Sequence, residues 1–157
     1  AMLTKYGYVE DAYRMITKTD APSWGYWVET QGYTTLAETW LLSPEFHDAS
    51  LNHVFMGDVS AWMYNTLAGI NFSEKAPGFG HIVIKPHFVK ELSWVEGSYQ
   101  SVKGMVRSSW KRDESGSINL SITIPAGCTA TVYADKEYEV NAGTHQYTFL
   151  PDRIKYH

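Results

Sequence analysis

The sequence lacks most of the features that would assign it to a specialised class of protein. A single cysteine, Cys128, in 157 residues excludes an internal disulfide. The net charge of -4 gives no electrostatic reason to bind nucleic acid or an anionic membrane. No apolar run approaches the roughly 20 residues that span a bilayer. What remains is a globular chain of one domain or two small units.

The start of the chain also lacks a recognisable signal peptide, and we expect it to begin within a longer protein. The sequence therefore leaves the compartment open between cytoplasmic and periplasmic or secreted. Aromatic residues, by contrast, are abundant at 15%, with six Trp and eleven Tyr. Such residues build large cores or planar surfaces for ligands.

The first part of the chain has helical periodicity. Apolar residues three to four positions apart predict a first helix, at Leu3, Tyr6, Val9, Tyr13 and Ile16. The segment 20–23 breaks it, and a second short helix is predicted over 35–42, stopped by Ser43 and Pro44. A third is predicted over 53–69, with Asp48, Ser50 or Asn52 as its cap.

After Pro77 the apolar period changes to two. The stretch SINLSITIP alternates strictly, and five other segments are typical of strands: HIVIKPHF, LSWVEGSYQ, GMVRSSWKR, TATVYAD and THQYTFL. Turns are predicted between them at Gly104, 113–116, Gly127 and 141–143. Short strands at this spacing predict an antiparallel β-sandwich. We therefore predict an α+β chain with helices in 1–76 and a sandwich in 77–157. The helices are too few to bury their own apolar faces and need a partner.

Glu38, in the stretch GYTTLAETW, has two interpretations. Thr35 and Glu38 have the spacing of a capping box, which favours a structural role. The alternative is a binding or catalytic carboxylate, because Trp24, Trp27 and Trp40 lie nearby in the sequence. Indole rings fit the C–H faces of sugars, and carboxylates bond their hydroxyls. His53 stands at a predicted helix start, where its side chain can also point into a cavity.

Three ordered blocks resemble one known family. GYTTLAETW, SLNHVFMGDVSAWMYNTLAGI and PGFGHIVIKPHF are similar, in this order and spacing, to the C-terminal region of the α-L-rhamnosidases of glycoside hydrolase family 78. The resemblance covers most of the chain and is looser in the strands beyond Pro86. It implies the last helices of an (α/α)6 barrel followed by the family's terminal β-domain.

The resemblance also implies a role for two side chains. Inverting glycosidases use one carboxylic acid to protonate the leaving oxygen and one carboxylate to activate water. The family's proposed general base falls on Glu38, and its sugar-contacting histidine falls on His53. Trp24, Trp27 and Trp40 are candidate walls of the sugar pocket, although each is more readily a core residue than a ligand contact.

Two departures from the family pattern lie beside Glu38. Ala37 replaces a Trp and Tyr33 replaces an Ala, which changes the pocket wall next to the base. The family's general acid lies in an upstream acidic motif that nothing here matches. The acidic residues that precede Glu38 lack its context: Glu10, Asp11, Asp20 and Glu29. The resemblance therefore implies a fragment with half an active site, inactive alone.

The remaining expectations concern partners and cofactors. We expect a rhamnose-containing glycoside as substrate, the remainder of the catalytic domain as partner, and self-association of the isolated chain through exposed helix faces. No cofactor is implied, and the histidines have no metal-ligand spacing. Two alternatives stay open: a non-catalytic carbohydrate-binding or structural module, and a degenerate homologue acting on another glycoside.

Overall fold

The computed structural model describes residues 2–40, 49–74 and 76–151. It contains two compact units, divided between Trp62 and Met63. This division falls earlier than the change of composition at Pro77, because the last helical turn and a short first strand belong with the sheet. No helix among the described residues is long and apolar enough to cross a membrane.

The first unit is helical, as the periodicity predicts, but its helices are short. They are α1 (Met2–Lys5), α2 (Val9–Thr17), a π-helical segment (Tyr26–Thr30), a 3₁₀ turn (Val54–Met56) and α3 (Asp58–Trp62). The predicted first helix is broken at Gly7, whose φ of 85° lies in the left-handed region. Helix α2 buries Val9, Ala12 and Ile16 on one face.

The predicted second helix over 35–42 is wrong for the residues that the structure describes. Residues 35–40 have no helical turn, and 41–42 lie outside the described residues. Their backbone bonds to a distant segment instead: the Glu38 N–H donates to the Ser50 carbonyl, and the His53 N–H donates to Leu36. A helix occurs earlier, at Tyr26–Thr30, where the buried Ser23 hydroxyl accepts from the Tyr26 N–H at 2.9 Å.

The predicted third helix is confirmed as helical from Val54 to Leu67, in consecutive pieces. A second π-helical segment, Met63–Leu67, ends it within the second unit. Its predicted cap is wrong, since His53 occupies the N-cap position and Asp48 lies outside the described residues. The chain turns at Gly69, where a Cβ would lie 2.1 Å from the Pro86 nitrogen. Only glycine fits so close an approach.

The second unit is a six-stranded sheet. Its strands are β1 (Ile70–Phe72), β2 (His81–Ile84), β3 (Trp94–Ser101), β4 (Gly104–Arg112), β5 (Ile118–Tyr133) and β6 (Glu137–Phe149). The order is β1-β2-β5-β4-β3, with β6 along the other edge of β5. Four pairs are antiparallel, but β2 and β5 are parallel, so the expectation of a wholly antiparallel arrangement is wrong.

The length of β5 explains the parallel pair. Its first half pairs with β4, and its second half continues past the end of β4 and takes β2 as its neighbour. Between the halves the register with β6 shifts, between Ile124 and Thr129. The turns predicted at Gly127 and at 141–143 are wrong, because both segments lie within strands. Gly127 lies in the irregular part of β5, and residues 141–143 of β6 lie opposite it.

The strands enclose one apolar core. Alternate residues of β4 and β5 are buried in it together with Ile70, Ile82 and Ile84. Trp110 is 2% exposed, and its indole N–H donates to the Leu67 carbonyl at 2.9 Å. This bond satisfies a carbonyl at the end of the last helical turn and fixes that turn against the sheet.

Among the described residues, the core includes a serine hydroxyl without a hydrogen-bond partner. The Ser108 hydroxyl is fully buried and makes no hydrogen bond, which costs about 1–3 kcal/mol of stability. We expect Ser108→Ala to leave the free energy of unfolding unchanged or to raise it, measured by urea denaturation. The control is Ile122→Ala in β5, where loss of a fully buried side chain should cost about 2–5 kcal/mol. Destabilisation by Ser108→Ala would contradict the assignment.

A half-buried histidine makes stability depend on pH. Desolvation by its partial burial, and secondarily the charge of Lys85, lowers the pKa of His87 from 6.5 to about 4. Because the unfolded chain binds the proton more readily, stability should fall as the pH drops from 6.5 towards 4. We expect the melting temperature to follow this fall, and His87→Gln to flatten it. The control is His145→Gln in strand β6, and an unchanged slope in His87→Gln would contradict the prediction.

Candidate active site

Two segments that are distant in sequence pair to form the site. Residues 35–38 and 50–53 are joined by hydrogen bonds from Glu38 N–H to the Ser50 carbonyl at 2.9 Å and from His53 N–H to the Leu36 carbonyl at 2.8 Å. The Thr35 hydroxyl adds a bond to the Leu51 carbonyl. This pairing places Glu38 and His53 on neighbouring stretches of backbone, although 15 residues separate them in the sequence.

The Glu38 carboxylate is held by one oxygen. Its Oε2 accepts a hydrogen bond from the Ser50 N–H at 3.0 Å, and the side chain is half-buried. Its Oε1 accepts no hydrogen bond from the described residues. The capping-box interpretation is therefore wrong here, because no helix starts at Thr35 and Glu38 does not reach back to it. A carboxylate with one oxygen fixed, and the other without a bond from the described residues, can accept a proton in a defined direction.

His53 combines two functions in one ring. Its Nδ1 accepts a hydrogen bond from the Phe55 N–H at 3.1 Å, which caps the 3₁₀ turn. The proton of the neutral ring therefore lies on Nε2. Among the described residues Nε2 has no protein partner, so it can donate to a ligand. The structural and the ligand-binding interpretation of this residue are compatible.

The three predicted tryptophans form one cluster. Trp40 stacks on Trp27, with ring centroids 4.7 Å apart, and meets Trp24 edge to face at 4.8 Å. Their indole N–H groups bond backbone: Trp24 to the Met56 carbonyl and Trp27 to the Trp40 carbonyl. Trp27 is 1% exposed and offers no face to a ligand, whereas Trp24 and Trp40 are half-buried.

The positions that depart from the family pattern differ in exposure. Ala37 is fully buried, so its methyl group lies in the interior and not on an open wall. Tyr33 is half-buried, and its N–H donates to the Trp27 carbonyl at 2.8 Å. Sequence reasoning expected both to alter the wall beside the base, whereas only Tyr33 retains an exposed surface.

The first unit also contains an open apolar groove of about 400 Å³. Its lining includes Leu3, Ile16, Trp24, Phe55 and Trp62. Phe55 is strongly exposed. Among the described residues, no group of three or more His, Cys, Asp and Glu side chains is arranged to hold a metal ion.

Sequence reasoning missed Ser50 as part of the site. The pattern indicates it only as a helix cap, because the bond that matters is made by its backbone N–H. Backbone groups carry no signature in the sequence. The only available signal was its place in the SLNH block, three residues before His53.

The capping bond of His53 can be tested without activity. We expect His53→Ala to lower the free energy of unfolding by about 1 kcal/mol, because the Phe55 N–H loses its acceptor. His53→Asn should retain most of the stability, since asparagine is a good N-cap residue. Equal unfolding free energies for Ala and Asn variants, measured in urea, would show that the capping bond is unimportant.

Comparison with known proteins gives a consistent result. The sequence profile of the bacterial alpha-L-rhamnosidase 6 hairpin glycosidase domain matches residues 1–67, and that of the bacterial alpha-L-rhamnosidase C-terminal domain matches residues 69–148. An alpha-L-rhamnosidase from Alteromonas sp. is 30% identical over 92% of the chain and 16% of its own length. One from Streptomyces avermitilis is 28% identical over 94% of the chain and 16% of its own length.

Solved structures agree with these sequence matches. The alpha-L-rhamnosidase of Aspergillus terreus has a TM-score of 0.85 and 28% identity over 94% of the chain and 18% of its own. The alpha-L-rhamnosidase of Streptomyces avermitilis, complexed with L-rhamnose, has a TM-score of 0.82 and 28% identity. That match covers 93% of this chain and 16% of the Streptomyces chain. The chain thus spans about one sixth of the curated relatives. On these matches, the chain belongs to the bacterial alpha-L-rhamnosidase family.

Proposed function

We propose that this chain is the C-terminal part of an inverting α-L-rhamnosidase, which releases terminal α-L-rhamnose from rhamnosides. Residues 1–76 would supply the last helices of an (α/α)6 catalytic barrel, and residues 77–157 the terminal β-sandwich. The observation that carries the proposal is the Glu38 carboxylate, with Oε2 held by the Ser50 N–H and Oε1 without a partner among the described residues.

Glu38 acts as the general base in this proposal. An inverting glycosidase needs a carboxylate that takes a proton from water as the water attacks the anomeric carbon. The Ser50 N–H fixes the rotamer of the Glu38 side chain through Oε2, which leaves Oε1 to accept the proton. The C–O bond to the aglycone breaks as the new bond forms, so the product has the opposite anomeric configuration.

His53 positions the sugar. With Nδ1 occupied by the Phe55 N–H, Nε2–H is directed to donate to a hydroxyl oxygen of the substrate. Trp24 and Trp40 contribute aromatic surface, since both are half-buried and their rings meet edge to face. Trp27 is not exposed and does not contact the sugar. It supports the Trp40 ring, on which it stacks.

The general acid comes from outside this chain. It must protonate the leaving oxygen from the opposite face, at about 6.5–9.5 Å from the base. The remainder of the catalytic domain is therefore the chain's first partner. The apolar groove of the first unit supports this, because Met2, Met15 and Phe55 line it and are exposed, which is the kind of surface that neighbouring barrel helices cover. Alone, the chain should be inactive.

The carbohydrate-binding alternative has one observation in the sheet unit, where Phe72, Trp94 and Tyr99 are exposed. Sugar-binding modules need such aromatic faces in the solvent. The other rings give no support, since Trp110 is buried and Tyr147 packs against the core. The catalytic role is the better supported of the two, because it rests on the pairing of the Glu38 and His53 segments and on the match to the glycosidase domain.

The proposal predicts a large loss of rate for one conservative change. In the complete polypeptide, we expect Glu38→Gln to lower kcat on an aryl α-L-rhamnoside by about a hundredfold or more, because the amide cannot accept the proton from water. The KM should change little. The control is Glu29→Gln, an exposed glutamate on the π-helical segment, which should retain full activity.

The anomeric configuration of the first product tests the inverting mechanism independently of the mutant kinetics. Proton NMR of the first turnover should show the β anomer of L-rhamnose before mutarotation. Retained activity in Glu38→Gln, or an α anomer as first product, would overturn the role assigned to Glu38.

A further inference from the structure

Ser50 holds the Glu38 carboxylate through its backbone, and its side chain holds that backbone. The Ser50 N–H donates to Glu38 Oε2 at 3.0 Å, and the Ser50 carbonyl accepts from the Glu38 N–H at 2.9 Å. The two residues therefore exchange a pair of bonds, one of which ends on the reacting carboxylate. Such a pair fixes both the position of the Glu38 backbone and the rotamer of its side chain.

The Ser50 hydroxyl forms a local turn. Its Oγ accepts a hydrogen bond from the Asn52 N–H at 3.1 Å, a pattern by which serine fixes its own backbone two residues ahead. This turn covers residues 50–52, directly before His53. The orientation of the Ser50 N–H towards Glu38 therefore depends on this side chain, whereas His53 is held separately by the Leu36 carbonyl and the Phe55 N–H.

We infer that Ser50 is a positioning residue for the general base, a role that rests on the proposed function of Glu38. Its hydroxyl keeps the 50–52 turn closed, the turn aims the Ser50 N–H at Oε2, and the occupied Oε2 leaves Oε1 as the proton acceptor. The hydroxyl itself touches neither substrate nor water in this role. It acts only through the backbone N–H that it orients.

The effect should appear in turnover and not in binding. A general base must lie within hydrogen-bond reach of the attacking water, and small displacements of such a group are costly. Without the Oγ bond, the Ser50 N–H is no longer fixed and the Glu38 carboxylate samples other rotamers. The sugar contacts made elsewhere in the pocket are unaffected, so KM should remain unchanged while kcat falls.

The test compares Ser50 variants in the complete polypeptide. Ser50→Thr keeps the hydroxyl, whereas Ser50→Val has almost the same shape as threonine without it, and Ser50→Ala removes it with little steric change. We expect Thr to retain kcat within about threefold, and Val and Ala to lose about tenfold, which corresponds to about 1.4 kcal/mol. Melting temperatures show whether all three variants remain folded.

The Glu38→Gln background separates a positioning role from a structural one. Residues that act as a unit are non-additive, so Ser50→Ala should cause no further loss of kcat once the base has been removed. A purely structural role would multiply the two losses. The inference is overturned if Ala and Val retain wild-type kcat, if Thr fails to rescue, or if the loss persists in full in the Glu38→Gln background.

The two proposals can fail separately. If Glu38→Gln loses its activity while Ser50→Ala and Ser50→Val keep theirs, the base assignment stands and the role of Ser50 is refuted. If Glu38→Gln remains active, the proposed function is refuted, and the role of Ser50 with it.

Discussion

The backbone pairing of residues 35–38 with 50–53 is the interaction on which the candidate site depends. It joins two segments that are separated by residues outside the described ranges, and it fixes Leu36 opposite His53 and Glu38 opposite Ser50. A carboxylate and an imidazole on separate loops would each need their own support. Here one set of hydrogen bonds positions both, and each side chain retains one atom that the described residues leave free.

Both polar side chains are anchored through backbone N–H groups. The Ser50 N–H occupies Oε2 of Glu38, and the Phe55 N–H occupies Nδ1 of His53. Backbone donors cost little conformational entropy when they bind, since the chain around them is already ordered. The remaining atoms, Oε1 and Nε2–H, are an acceptor and a donor, which is the combination that a water molecule and a sugar hydroxyl require.

The sheet unit is organised around one long strand, β5. The 16 residues of β5 cross the whole unit, so one strand contributes to the pairing with β2, β4 and β6. Trp110 attaches the last helical turn to this sheet through the Leu67 carbonyl. The sequence periodicity predicted the individual strand segments well, because alternation marks burial directly. It could not show that SINLSITIP and TATVYAD are one strand, because Gly127 reads as a turn although the structure uses it in a bulge.

In the candidate site, too, the sequence indicated local features but not long-range pairing. Glu38 and His53 were candidates on residue type and resemblance, but their local structure was predicted wrongly where backbone pairing replaced the expected helix over 35–42. Long-range pairing of short segments leaves no periodic signal, and Ser50 was overlooked for that reason. Trp27 was a candidate pocket wall that is more readily a core residue, and its exposure of 1% agrees with the core interpretation.

A crystal structure of the complete polypeptide with L-rhamnose would show whether Glu38 and His53 meet the sugar as proposed. Glu38 Oε2 should remain bonded to the Ser50 N–H, and Oε1 should hold a water beside the anomeric carbon at about 2.6–3.2 Å. His53 Nε2 should donate to a sugar hydroxyl. A sugar bound elsewhere, or a Glu38 carboxylate with both oxygens bonded to protein groups, would contradict this proposal.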